Sequence, residues 1–148
     1  MTATNHGLSG ALIAISLQKY PVLAMVLSPF SHFILDAIPH YSDPKMSIKS
    51  RAFYKILTTD AILAVVTTLA VASFWPEIAL LVIACAFLAA SPDLMWLYFE
   101  YIRPTPRKNL PWYAKFHSWI QWSQTKPGIL VELMWFMVLF PALILMSK

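Results

Sequence analysis

Apolar residues run almost unbroken through five stretches of the chain, about 8–18, 21–38, 58–75, 77–99 and 129–146, with polar and charged residues gathered between them. Runs of this length read as helices that cross a bilayer, since a crossing needs about 20 apolar residues. The first run gives only about 16 Å of helix, too short to cross straight, and is expected to be the shallow or re-entrant half of a hairpin turning at Gln18-Lys19-Tyr20-Pro21. The third and fourth runs form a second hairpin through Trp75-Pro76-Glu77. Residues 100–128 are polar and aromatic, punctuated by Pro104, Pro106, Pro111 and Pro127. A surface helix is predicted around 111–124, with Trp112, Phe116, Trp119, Ile120 and Trp122 at the membrane interface, where amphipathic aromatics are favoured.

Composition turns this pattern into a class. Hydrophobic residues make up 59% of 148 positions and charged residues 12%, far from the balance of a soluble globular domain. The expectation is an all-α integral membrane protein: about five hydrophobic helices, the first short or re-entrant, plus the interfacial amphipathic helix, in one domain over residues 1–148. Cys85 has no partner for an intrachain disulfide and reads as small packing filler inside a span. The start Met1-Thr-Ala-Thr-Asn-His6 lacks a basic region before the first apolar run, so no cleavable signal peptide is expected.

The formal charge of +4 raises nucleic acid or anionic lipid as partners, but the basic residues flank apolar spans, where topology accounts for them first. Lys45, Lys49, Arg51 and Lys55 fall in one connection and Arg103, Arg107, Lys108, Lys115 and Lys126 in another, leaving Lys19 and Lys148 opposite. The positive-inside rule then places the basic face in the cytoplasm, with a multi-pass chain in the inner membrane and a cytoplasmic N-terminus. No nucleic-acid partner is expected, and oligomeric state is open.

The candidate chemistry begins in Ser31-His32-Phe33-Ile34-Leu35-Asp36-Ala37-Ile38-Pro39-His40. On a helix His32, Asp36 and His40 at i, i+4 and i+8 would share one face, about 6 Å apart, which is metal-ligand spacing. Pro39 disfavours helical geometry at Ile38, so His40 is placed less firmly than the other two. Ionisable groups inside a membrane are functional candidates by default, and further ones converge toward the same end of the spans: His6, Asp60, Asp93, His117 and Glu132. Imidazole nitrogens and carboxylate oxygens suit a divalent ion, Zn2+ first and Mn2+ or Fe2+ as alternatives, bound singly or as a pair. His6, His32, Asp36, His40, Asp93 and His117 are the expected metal ligands, and Asp60 or Glu132 the expected general base or further ligand. Asp60 and Glu132 each have a second explanation as acids near a helix N-terminus. Asp43, Glu77 and Glu100 read as solvated.

Thr4-Asn5-His6-Gly7-Leu8-Ser9-Gly10, the segment from Ser31-His32 to Pro39-His40, and Ser91-Pro92-Asp93-Leu94-Met95-Trp96 together resemble the YdjM-like inner-membrane proteins, a family described as membrane-bound metal-dependent hydrolases. His32-x-x-x-Asp36 is also similar to a zinc motif of the zinc-dependent phospholipase C and nuclease superfamily. The resemblance implies an all-helical fold, a metal held by His6, His32, Asp36, His40 and Asp93, and hydrolase activity. The phospholipase pattern implies a later His-x-x-x-Glu; here His117 is followed by Gln121, so Glu132 could take that place only by folding close. The expected function is hydrolysis of a phosphoester or ester in a membrane lipid or lipid-like substrate, at the cytoplasmic side. A transporter or ion pathway and a noncatalytic subunit with a structural metal are the alternatives.

Overall fold

The structure, a computed structural model, describes residues 1–43 and 45–147; the expected place of Lys148 lies outside them. The chain is all-α, and three helices are long and apolar enough to cross a membrane: α3 (Arg51–Phe74), the continuous helical run Pro76–Ile102, and α7 (Gly128–Leu145). Within the second of these, α4 (Ala79–Ala90) and α5 (Leu94–Leu97) are joined by a 3-10 turn at Ser91–Asp93, and the run ends in a π-turn at Tyr98–Ile102. These helices turn their large apolar side chains outward: Ile62, Val65, Val66 and Leu69 on α3 and Leu133, Met134, Met137 and Val138 on α7 are all exposed. So large an unpartnered apolar surface requires an apolar surround.

The two shorter helices, α1 (Ala3–Ser16) and α2 (Pro21–Asp36), form the hairpin expected from the sequence; α1 lies inside the bundle, whereas α2 lies at its surface with Val22, Val26, Phe30 and Ile34 exposed. Helix α1 begins five residues before the apolar run because Thr4, Asn5 and His6 are themselves buried and helical. It packs against α2, α3, α4 and α7, and Leu8, Ala11, Ala14 and Ile15 sit in the core with Val71, Val82, Cys85 and Leu143. Gly10 permits the closest approach, since a Cβ there would lie 2.3 Å from the Cys85 carbonyl oxygen.

The depth of α1 explains its length. Its N-terminal amides at Ala3 and Thr4 donate to the Asp60 carboxylate at 2.7 and 3.1 Å, and from Asp60 the third helix continues to Phe74, about as many residues as the 14 of α1. A helix of 14 residues that starts at this level needs only about 21 Å to reach the far end of the bundle. Leu17 and Trp75 there join the same core cluster, and the Trp75 indole donates to the Leu143 carbonyl at 2.9 Å.

The surface helix is α6 (Trp112–Ile120), shorter than the predicted 111–124. Trp112, Trp119 and Trp122 are exposed while Ala114 and His117 are buried. One feature was not foreseen: β1 (His40–Tyr41) and β2 (Gln124–Thr125) pair in parallel, tying the segment after α2 to the segment after α6. An ion pair between Asp43 and Lys126 (2.9 Å) spans the same junction, holding the Asp43 carboxyl below and the Lys126 ammonium above their ordinary ranges. Asp43 is therefore paired and half-buried, contrary to the expectation of a solvated acid.

Candidate metal centre

Four side chains meet at the end of α2: His32 and Asp36 from α2, Asp93 from the 3-10 turn after α4, and His117 from α6. His32 and Asp36 come together as an i, i+4 pair, with His32 Nε2 3.1 Å from Asp36 Oδ2. Pro92 brings in Asp93. Proline breaks the regular helical ladder, and the tighter 3-10 turn that follows re-aims the next side chain. The Leu88 carbonyl, four residues before Pro92, accepts instead from the Ser91 hydroxyl at 2.9 Å, so the break leaves no orphan there. His117 is buried on the inner face of α6, beneath the exposed tryptophans.

The separations fit a single small cation. His32 Nε2 and His117 Nε2 lie 2.9 Å apart, Asp36 Oδ2 is 3.1 and 3.4 Å from them, and Asp93 Oδ1 is 3.6 and 3.5 Å from them. Donors about 2.0–2.1 Å from a tetrahedral ion stand roughly 3.3 Å from one another. The tautomer agrees. His32 Nδ1 faces the Ala89 carbonyl at 2.9 Å, and a carbonyl only accepts, so the proton is on Nδ1 and the Nε2 lone pair faces the cluster. A backbone carbonyl in that role is how metal-ligating histidines are commonly oriented. Two carboxylates and two imidazoles, three of the four buried, could thus hold a metal ion.

Other expected residues take different places. His6 borders the group without belonging to it: its ring stacks on His32 with centroids 3.9 Å apart, its Nε2 is 3.2 Å from Asp36 Oδ1, and Nδ1 is buried without a partner among the described residues. Asp36 Oδ1 also accepts from the Met1 amino group. His40 is outside the group. The helix ends at Asp36, as the position of Pro39 suggested, and His40 lies in β1 with Nδ1 donating to the Ile38 carbonyl at 2.8 Å. Burial pushes its pKa down. Its Nε2 is buried with no hydrogen-bond partner among the described residues.

Asp60 and Glu132 hold backbone. Beyond Ala3 N and Thr4 N, Asp60 accepts from the Thr4 hydroxyl at 2.6 Å, and so caps the first turn of α1. Glu132 accepts from Thr2 N at 3.1 Å and Tyr41 N at 2.9 Å. Both lie along their helices, Asp60 well inside α3, so neither is an acid at its own helix N-terminus.

No family model, curated protein or solved structure matches this chain. The site therefore stands on its own geometry. That geometry includes one residue the sequence reading missed: Gln121, noted only as standing where a glutamate was implied, donates from Nε2 to Asp36 Oδ2 at 2.9 Å. Its spacing from His117, one helical turn, was the available signal.

Beside the cluster lies a cavity of about 540 Å³ between α3 and the Pro76–Ile102 run. Asp93 belongs to both cluster and cavity, and Gln121 lines the cavity while touching Asp36.

Proposed function

We propose that this protein is a membrane-embedded, metal-dependent hydrolase of a phosphoester or ester in a lipid-like substrate. The observation that carries the reading is Asp93: one residue shared by a donor set of metal-ligand spacing and by a substrate-sized cavity beside two helices long and apolar enough to cross a membrane. His32, Asp36, Asp93 and His117 would hold the ion, with Zn2+ the first choice from the mixed nitrogen and oxygen donors. A divalent ion supplies Lewis acidity toward an ester or phosphoryl oxygen and acidifies water.

The chain's own residues divide the remaining work. Ala89 and Gln121 orient His32 and Asp36. Asp60 and Glu132, their oxygens engaged by backbone amides, position α1 and β1 against the site in this reading and leave proton transfer to groups nearer the cluster. His6 braces Asp36 and His32. The resemblance to the YdjM-like hydrolases supports the same chemistry, and the basic connections beside this end of the spans support a cytoplasmic site in an inner membrane, with the N-terminus on that side.

A structural metal is the second reading, favoured by the fact that four protein donors alone complete a tetrahedral spacing. Purified protein should carry close to one equivalent of Zn, Mn or Fe by elemental analysis, lost in His32→Ala with Asp36→Ala, and should hydrolyse short-chain phospholipid in mixed micelles. Bound metal with no hydrolysis in any lipid class would shift the reading to a structural ion. Absence of bound metal, or metal content unchanged by the double substitution, would sink both.

A further inference from the structure

Helix α6 presents its more apolar face outward. Trp112, Phe116 and Trp119, at i, i+4 and i+7, share one side and are exposed, Trp112 to 79% and Trp119 to 65%. The opposite side holds Ala114 and His117, both buried, and Gln121 just past the helix end. That inward side is the one that reaches the candidate centre: His117 Nε2 is 2.9 Å from His32 Nε2, and Gln121 Nε2 donates to Asp36 Oδ2 at 2.9 Å. A surface helix ordinarily turns its apolar stripe to the core, so the outward aromatics of α6 call for an apolar surround of their own.

Two observations say what that surround is. The aromatic face continues the exposed apolar surface of α2: Phe33, next to the exposed Ile34, meets Phe116 at 5.4 Å, and Phe116 meets Trp119 at 5.9 Å. On the other flank Phe99, near the end of the Pro76–Ile102 run, meets Tyr113 at 6.5 Å. The second observation is charge. Between Glu100 and Glu132 the chain carries Arg103, Arg107, Lys108, Lys115 and Lys126 and no acidic residue. Arg103, Arg107, Lys108 and Lys115 are exposed, and among the described residues only Lys126 of the five is in an ion pair. Exposed tryptophans flanked by unpaired basic side chains match the headgroup level of an anionic bilayer.

We propose that an anionic bilayer surface is the partner that seats α6, with Trp112, Phe116 and Trp119 at the headgroup level and Arg107, Lys108 and Lys115 toward lipid phosphates, and that this seating completes the candidate metal centre by holding His117 and Gln121 in place. Ala114 and His117 are the only residues of α6 buried against the bundle, so the hold from that side is small. Two ligands that favour the same docked helix, the bilayer outside and the ion inside, strengthen one another by linkage. The centre is then assembled where a lipid-like substrate lies. In that respect the inference deepens the hydrolase reading and rests on its metal, whereas the seating of α6 does not need the ion.

The test uses the full chain in nanodiscs of phosphatidylcholine with or without added phosphatidylglycerol. In the metal-stripped protein, hydrogen exchange of the amides of 112–120 should be about tenfold slower in the anionic discs, since each basic residue near such a surface contributes about fivefold. High salt should erase the difference. Arg107→Gln with Lys108→Gln and Lys115→Gln should remove it and leave exchange in the neutral discs unchanged. Zn2+ should bind about tenfold more tightly to the parent than to Trp112→Ser with Trp119→Ser in the same anionic discs, where accumulation of the ion at the charged surface is common to both. Equal exchange in the two kinds of disc, or a difference that survives the triple substitution, would overturn the seating. Protection that instead follows the number of copies per disc would overturn it in favour of a second chain on the aromatic face. Equal Zn2+ affinity in the parent and the tryptophan variant would overturn the coupling. Failure of the hydrolase reading is separate: it would show as missing Zn2+ binding, which removes the coupling with it, or as missing turnover, in a chain whose α6 still responds to lipid charge.

Discussion

At the scale of single residues, the buried imidazole of His40 makes a pH prediction. Burial holds its pKa below the ordinary 6.5. Above about pH 6.5 the ring is neutral whether the chain is folded or not, and the contribution of this group to stability is fully present. Below that value the unfolded chain takes up a proton that the folded chain resists, so stability falls as pH falls toward the lowered folded value. Thermal unfolding in detergent between pH 7.5 and 5 should therefore show a midpoint that drops with acidification, and His40→Gln should flatten that slope. An identical slope in the variant would show that His40 is not the group responsible. The residue scale also separates side chains that meet from side chains that only neighbour. His32, Asp36, Asp93 and His117 face one another, whereas His6 touches the same carboxylate from the side and His40 turns its Nδ1 to the Ile38 carbonyl.

At the scale of elements, the placement of α1 depends on a cap supplied from another helix. Thr2 makes no side-chain cap, and Asp60 reaches across from α3 to the first two helical amides. Hydrogen bonds from backbone amides to a carboxylate contribute about 1.5–3 kcal/mol each. Asp60→Ala should thus destabilise the folded chain by roughly 3–6 kcal/mol, and Asp60→Asn, which keeps one acceptor, by about half as much. Metal content should be unchanged in both, as measured by elemental analysis beside the unfolding midpoint; loss of the metal with an unshifted midpoint would return Asp60 to the ligand set. The same element shows what the sequence could and could not disclose. Hydrophobic runs located all five apolar helices and the hairpins, because burial in lipid needs length and apolarity, which are local properties. The start of α1 was hidden, because Thr4, Asn5 and His6 become helical with partners on α3, α7 and α2, distant in sequence. The pair His32 and Asp36 was legible from i, i+4 spacing, and Asp93 from a charge with no helix end to excuse it. Gln121, the β1–β2 pairing and the free Nε2 of His40 depend on how the segments after α2 and α6 cross. No periodicity records such a crossing. Gly128 marks it after the fact: a Cβ there would lie 2.2 Å from the carbonyl carbon of His40.

At the scale of the whole molecule, the candidate metal joins parts that otherwise have unequal support. Helix α1 is buried on all sides, but α6 rests on the bundle through few buried residues, Ala114 and His117, with Phe116 against Phe33 at 5.4 Å. Three of the four donors, His32, Asp36 and Asp93, belong to the bundle, and the fourth, His117, belongs to α6. An ion bound there ties the surface helix to the bundle, and by mass action it stabilises the folded chain by about 2.7 kcal/mol when free metal is a hundredfold above its dissociation constant. Local opening free energies follow local contact, so withdrawal of the ion should be felt in α6 well before the core. Hydrogen exchange followed by mass spectrometry, with and without a chelator, should show faster exchange of the amides of 112–120 in the chelated protein while α1 stays protected. Addition of Zn2+ should restore the slow exchange in the parent chain and leave His117→Ala unprotected. If α6 exchanges at the same rate with and without metal, the four residues do not share an ion that bridges α6 to the spans, and both the catalytic and the structural metal readings lose their common foundation.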